Sequence, residues 1–425
     1  MTVFSLSRAA WSLAIASALL PALALADGPN GEQCGPNDGG AKCGMNVCCS
    51  AAGYCGTTSA YCGSGCQSLY GSCTVPQAPT CDKNGKSATN GRRVGYWQVQ
   101  QAHDRSCDVV LPSQISTAGV SHLVLAFAHI DPSSFAVVAA DSADVSYYTQ
   151  FTSLKSSSLK TWIAIGGGGF SVATWSAMAA TATSRAQFIN SLLSFMKQYG
   201  FQGVDLDWEF PNESGSDAQN LVALVRELRA AFGTTYGISA ALPADWGSVR
   251  GFDGLDMAQY MDFFNYMAYD IHGWGIDFGT RQSNMSYPAD IREIDTDMLP
   301  LWSSKIPPAK VNIGIPLYGR GYTLANTGCS TVGCTASGPS NSASCVRDTS
   351  GVMILTDIKQ TLSANNAAVT LDRSAIQKYA TWGNGQWMAY DDADTLLLKL
   401  AWADGRCLGG AMFWSADFNS GSLTG

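Results

Sequence analysis

The sequence predicts an α/β protein: a (β/α)8 TIM barrel with a small α+β insertion between strands 7 and 8, plus a small disulfide-rich N-terminal module. Three observations predict it. Eight short apolar runs, separated by helix-like segments, recur from Arg93 onward. Residues 318–408 part the seventh run from the eighth, which leaves room for an inserted subdomain. Eight of the 14 cysteines crowd between Cys34 and Cys73, the density of a small scaffold that substitutes disulfides for a core.

Residues 1–26 read as a secretory signal. Arg8 supplies the positive charge, residues 9–25 are apolar, and Ala24-Leu25-Ala26 fits the small-x-small cleavage rule, placing the mature start near Asp27. A membrane anchor is the competing reading, but the apolar run is short and ends in small residues. No other stretch is apolar enough to span a bilayer, so a secreted, extracellular chain without a membrane partner is expected. Residues 30–73 form the cysteine-rich module. Residues 74–92, polar with Pro, Lys and Asn, read as a linker. The barrel takes 93–425, with the insertion at about 321–386. The other six cysteines, Cys81, Cys107, Cys329, Cys334, Cys345 and Cys407, are again even in number and suit further disulfides. Sequons at Asn212 and Asn284 are compatible with that compartment.

The eight runs are 94–97, 122–130, 161–166, 203–210, 237–242, 263–269, 311–317 and 409–414. They are nearly continuous in apolar residues, as parallel strands buried on both faces must be. Between them, 186–199 and 218–232 carry one apolar face at helical spacing: Phe188, Leu192, Phe195 and Met196 in the first, Leu221, Leu224, Val225, Leu228 and Phe232 in the second. A doubly wound open sheet is the alternative, but no GxGxxG follows the first strand.

Composition narrows the function. With 46% hydrophobic and 14% charged residues the chain can bury a large core. A net charge of −8 repels phosphate backbones, so nucleic acid is a poor partner, whereas a neutral polymer is not penalised. His103, His122, His129 and His272 form no metal-like cluster; no metal and no cofactor are implied, and a monomer is expected.

The segment 201–210 is the most informative. Alternation along a strand puts Asp205, Asp207 and Glu209 on one face, opposite Val204, Leu206, Trp208 and Phe210. Close, partly desolvated carboxylates cannot all be ionised, so one keeps a proton to donate. Glu209 comes last, at the end of the strand where barrel active sites open. Solvated acids on an exposed edge strand, or a calcium site, are the bland readings. A closed barrel has no edge, and the spaced oxygen ligands of a calcium loop are missing.

Gly203-Val204-Asp205-Leu206-Asp207-Trp208-Glu209 resembles the DxxDxDxE strand of family 18 glycoside hydrolases. The resemblance covers residues 93–418, through Gly95-Tyr96, Phe127, the run from Asp262 to Asp270, Gly314 to Arg320, and Gly409 to Ser415. The stretch with Cys329, Cys334 and Cys345 resembles the insertion of fungal killer-toxin-like, class V type chitinases. Two departures stand out. Gln202 occupies the place of the family's first Asp, where tuning of the acid ladder is expected. Ala164 occupies the place of a Ser in SxGG, with Gly168 where many members carry a stacking Trp.

The resemblance implies a retaining, substrate-assisted reaction, an exception to the two-carboxylate scheme. Glu209 protonates the glycosidic oxygen and the substrate's own acetamide oxygen attacks the anomeric carbon. Asp207 takes the acetamide N–H, Asp205 shares its proton, and Tyr269 holds the acetamide oxygen. Trp414 is a sugar floor or a core ring. Met267, Asp270 and Arg320 are carried over as subsite residues, with a structural salt bridge the other reading of Arg320. Tyr96 and Phe127 are subsite residues or barrel packing.

The spacing of Cys34, Cys43, Cys48, Cys49, Cys55, Cys62, Cys66 and Cys73 resembles hevein-like chitin-binding domains. Sequence alone leaves the pairing open. The resemblance implies Cys34–Cys49, Cys43–Cys55, Cys48–Cys62 and Cys66–Cys73, with Ser50, Tyr54 and Tyr61 reading N-acetylglucosamine. Ala52 replaces the first aromatic, at a cost of roughly 1 kcal/mol or more in stacking. The expected function is hydrolysis of chitin, the β-1,4 polymer of N-acetylglucosamine, or of its oligomers. A non-hydrolytic chitin lectin and an endo-β-N-acetylglucosaminidase acting on N-glycans are the alternatives.

Overall fold

The computed structural model describes residues 32–212, 215–276, 284–341, 345 and 351–424; the expected signal segment, and Glu213 and Ser214 of the first sequon, lie outside them. Eight parallel strands close on themselves. They are β1 Arg92–Gln98, β2 His122–Ile130, β3 Lys160–Gly166, β4 Gly203–Asp207, β5 Gly237–Pro243, β6 Phe263–Met267, β7 Val311–Pro316 and β8 Gly410–Trp414. The seam pairs Phe413 of β8 with Gly95 of β1, and β1 pairs onward with β2. β4 stops at Asp207, three residues short of the apolar run, so Glu209 sits just past the strand end.

Parity sorts the strands as alternation requires. Val204 and Leu206 of β4 are buried in the core cluster shared with the helices, while Asp205 and Asp207 are buried on the other face, toward the barrel interior. Near the N-terminal mouth the interior is filled by Trp162. A Cβ on Gly203 would lie 2.4 Å from its ring, and one on Gly237 2.0 Å, so only glycine admits the indole at both positions. Helix α1 (Ala182–Tyr199) is capped by Thr181, whose hydroxyl accepts from the Ser184 N–H, and ends at Gly200 in the left-handed region. It buries Phe188, Leu192, Phe195 and Met196, and α2 (Asp217–Phe232) buries Leu221, Leu224, Val225, Leu228 and Phe232. Each such side chain contributes about 1.5–3 kcal/mol.

The insertion is a separate antiparallel sheet around the strand Tyr318–Leu324, which pairs with Ala336–Pro339, Val352–Ile354 and Gln386–Tyr390, with Gln377–Trp382 and Val369–Asp372 beyond and the helix Leu355–Ala364. It begins at Tyr318 and ends at Tyr390, somewhat wider than 321–386, because the chain enters it directly from β7. Tyr322, Trp387, Met285 and Tyr287 form its own core.

In the module the disulfides are Cys34–Cys49, Cys43–Cys55, Cys48–Cys62 and Cys66–Cys73. The module is seated on the barrel wall. Ser303 donates to the Asn46 carbonyl at 2.8 Å, and Gly44 lies so close to Arg250 that a Cβ would stand 2.7 Å from it. The stretch read as a linker is fastened from Cys81 on. Cys81 is bonded to Cys407, and the Asp404 carboxylate accepts from the N–H groups of Ala88 and Thr89 at 2.7 and 2.9 Å and from the Thr89 hydroxyl at 2.6 Å. Cys107–Cys345 and Cys329–Cys334 complete the bridges. No helix among the described residues is long and apolar enough to cross a membrane.

Candidate active site

At the C-terminal mouth of the barrel a cavity of about 210 Å³ is bounded by Asp207, Glu209, Tyr269 and Trp414, with Tyr96, Phe127, Met267 and Asp270 also on its wall. These residues come from β1, β2, β4, β6 and β8 or the turns that leave them, so the sheet itself brings them together. A second cavity of about 510 Å³ continues from it through Glu209, Met267, Tyr269 and Asp270 toward Trp246 and His272. On that far wall Asp297 is pushed up to about 7 by burial and by the neighbouring Glu293.

The acid ladder falls into two hydrogen-bonded parts, Asp205 with its three donors and Asp207 with Glu209, which act on each other through charge. Asp205, fully buried, accepts from the Tyr96 hydroxyl at 2.5 Å, from Ser239 at 2.5 Å and from the Asn265 amide at 3.3 Å. Burial raises its pKa and those three donors oppose the rise. Asp207 is buried and hydrogen-bonded to Glu209. Burial, then the charges of Glu209 and Asp205, then that hydrogen bond hold its pKa well above the usual carboxylate range. Glu209 is also raised by burial, while the bond from Asp207 pulls it down. Two carboxyl groups can share a hydrogen bond only if one of them is protonated, so the Asp207–Glu209 pair holds a proton between them. One oxygen of Asp207, Oδ1, has no hydrogen-bond partner.

The aromatic groups enclose this row. Trp414 lies 5.4 Å from Tyr96 and is stacked on Phe127 at 5.7 Å, ring centre to ring centre. Tyr269 packs edge-on against Tyr318 at 6.1 Å, and burial with the surrounding carboxylates pushes its hydroxyl far above the usual range, so it stays protonated. Tyr318 also lines the cavity and had not been singled out. Arg320 does not line the cavity; it holds Asp270 in a two-pronged ion pair at 2.6 and 2.7 Å.

Two sequence departures acquire physical readings. Gln202 lies at the opposite mouth of the barrel, where its side-chain carbonyl accepts from the Thr161 N–H at 3.2 Å and joins β4 to β3, apart from the donors that reach Asp205. Ala164 faces Asp205 across the β3–β4 pairing, and the donors to that carboxylate come instead from β1, β5 and β6. Ser239 and Asn265 were missed by sequence reasoning. The signal was present, a single polar residue at an inward position of an otherwise apolar run.

In the module Tyr54 stands 41% exposed and Ser50 accepts from its backbone N–H at 3.0 Å. Tyr61, expected as a second stacking ring, is only 7% exposed. Its ring lies flat on Gly56, where a Cβ would come within 2.4 Å, and it packs with Cys48 and Cys62. Of the two rings, Tyr54 is the one open to solvent. Among the described residues the one group with metal-like spacing is Cys34, Cys43 and Cys49, all consumed in disulfides.

An acid ladder at the mouth of a closed (β/α)8 barrel, walled by aromatic rings, defines a glycoside hydrolase. Residues 92–419 match the family described as glycosyl hydrolases family 18, and residues 33–73 match the chitin recognition protein family. The chain belongs to family 18 of the glycoside hydrolases and is an enzyme of the chitinase kind, with a chitin recognition domain. It is 33% identical to chitotriosidase-1 of Mus musculus over 334 residues, covering 72% of this chain and 69% of that one. The crystal structure of an immunomodulatory chitinase from Trichuris suis superposes with a TM-score of 0.71 at 28% identity, over 77% of this chain and 92% of that one. The class V chitinase from Nicotiana tobaccum gives 0.68 at 26% identity, over 77% and 95%.

Proposed function

We propose that the protein is a secreted, monomeric chitinase that hydrolyses the β-1,4 linkages of N-acetylglucosamine polymers with retention, using the substrate's acetamide as nucleophile. The observation that carries this reading is the Asp207–Glu209 hydrogen bond, opening on the cavity shared with Tyr269 and Trp414. With the reacting sugar on Trp414, the proton passes along that bond from Asp207 to Glu209. Glu209 then protonates the departing oxygen. Asp207, now an anion, accepts the acetamide N–H and balances the positive charge that develops on the ring formed by attack of the acetamide oxygen. Tyr269, a protonated donor, holds that oxygen in place, and the intramolecular attack gains the advantage of a tethered nucleophile. Glu209 afterwards takes a proton from the water that opens the intermediate. Met267, Asp270, Phe127 and Tyr96 shape the cavity, and Arg320 orients Asp270.

Residues 1–26 are assigned as signal, 30–73 as chitin-binding module, 74–92 as connection and 93–425 as the hydrolase. Through Ser50 and Tyr54 the module would tether the enzyme to its polymer and raise local substrate concentration. Product analysis on chitin oligomers tests the reading. Wild type should release short oligomers first formed as the β-anomer, and Glu209→Gln should bind them with near-complete loss of turnover. Cleavage of a high-mannose glycopeptide alone, or of unsubstituted glucose polymers, would overturn it.

A further inference from the structure

A row of side-chain amides leads from the acid ladder to the opposite end of the barrel. Asn265 of β6 donates through Nδ2 to Asp205 and, at 2.8 Å, to the Tyr96 hydroxyl. Its carbonyl accepts from Asn312 of β7 at 2.9 Å, and the Asn312 carbonyl accepts from Arg92 Nε, also at 2.9 Å. Asn265 and Asn312 are fully buried and face each other across the β6–β7 pairing. Arg92 is held over the Phe263 ring, and its other arm donates to the Ala309 carbonyl at 2.6 Å.

We propose that Asn312 and Arg92 are positioning residues of the hydrolytic site, because a guanidinium can only donate and so sets the sense of both amides in turn. Arg92 fixes which end of Asn312 is oxygen. Asn312 then presents its NH2 to Asn265, and Asn265 must turn its own NH2 toward Asp205 and Tyr96. With the Tyr96 oxygen accepting from Asn265, its hydrogen is left for Asp205. The polarity of the ladder is thus set at the far mouth of the barrel. Asp205 gains two donors it would otherwise lack, and the proton is left to Asp207 and Glu209. This inference rests on the hydrolytic reading above.

The titratable and charged groups facing the ladder are Tyr96 from β1, Asp205 and Asp207 from β4 itself, Glu209 beyond it, Tyr269 and Asp270 after β6, and Tyr318 after β7, with Arg320 behind Asp270 and Tyr318. Arg92 is faced by His122, Asp262 and Lys310.

Asn312→Asp tests the relay. Its carboxylate still accepts from Arg92 but also accepts on its other side, so the Asn265 amide turns over and aims its carbonyl at Asp205. The pH profile of kcat on N-acetylglucosamine oligomers should move up by about one unit. The rate itself should fall about tenfold with little change in KM. A crystal structure, or the side-chain NH2 resonances of Asn265, should report the reversal. Asn312→Leu removes both bonds without adding charge, should shift the profile less in the same direction, and carries the test should the Asp variant not fold. Profiles superposing on wild type, with only thermal stability lowered, would reduce both residues to packing and overturn the proposal. If the wild type itself releases no product, the hydrolytic reading has failed. The Asn265 resonances in Asn312→Asp then decide the relay alone: reversed supports it, unreversed refutes it.

Discussion

Asp207→Asn should make the enzyme more stable at neutral pH while nearly abolishing its activity. Asp207 is buried between Asp205 and Glu209, hydrogen-bonded to the latter, with Oδ1 unpartnered. Side chains two residues apart on a strand stand about 6.6 Å apart, where two unit charges at an effective dielectric of about 20 repel by about 2.5 kcal/mol. Burial and these neighbours raise its folded pKa well above the ordinary 3.8. The sign follows: below the ordinary value the group is protonated folded and unfolded alike. As pH rises toward the folded value only the unfolded chain releases the proton, and stability falls by about 1.4 kcal/mol for each unit crossed. The asparagine variant has no such proton, so its advantage over wild type should grow between pH 4 and 7 to about 2 kcal/mol. That is about 3 °C in Tm for a domain of this size. Loss of the anion that balances the developing positive charge should lower kcat on chitotetraose at least about a hundredfold. Calorimetry at the two pH values and chromatography of the products read both arms. A variant equally destabilised at both pH values, or one that keeps its rate, would refute the account.

Removing the donor from a buried carboxylate is the reverse perturbation: Tyr96→Phe, or Ser239→Ala, should cost about 1.5–3 kcal/mol in urea unfolding, each leaving Asp205 short of one partner. Arg320→Lys replaces a two-pronged grip on Asp270 by a single contact, and kcat/KM on oligomers should drop about tenfold with the melting temperature nearly unchanged. Tyr54→Ala should weaken retention on insoluble chitin about fivefold while hydrolysis of soluble tetramers stays at the wild-type rate.

The barrel was legible because parallel strands buried on both faces leave runs that loops cannot imitate, and the ladder because three acids at alternate positions in such a run have no structural excuse. What could not be read depends on partners far away along the chain. Asp404 and Cys407 reach back to Ala88, Thr89 and Cys81, and no local pattern at 74–92 announces that its second half is pinned. Tyr61 carries the residue type of an open stacking ring, but the missing side chain of Gly56 lets the ring sink against Cys48 and Cys62. Ser239, Asn265 and Asn312 were visible as lone polar residues on inward parity, yet their pairing into one row requires the closed sheet. Gln202 has the opposite parity to Asp205, and strand alternation already argues that it belongs elsewhere.

The strand that carries Trp414 and Met412 is also the one that zips against Arg92–Gln98. The floor of the cleft is thus contributed by the portion of the barrel translated last, while its partner edge is translated first. Until those residues leave the ribosome, the nascent sheet has two raw borders, at β1 and β7, each inviting intermolecular pairing. Frameshifts or stop codons as late as residue 409 should therefore yield aggregating chains rather than weakened enzymes.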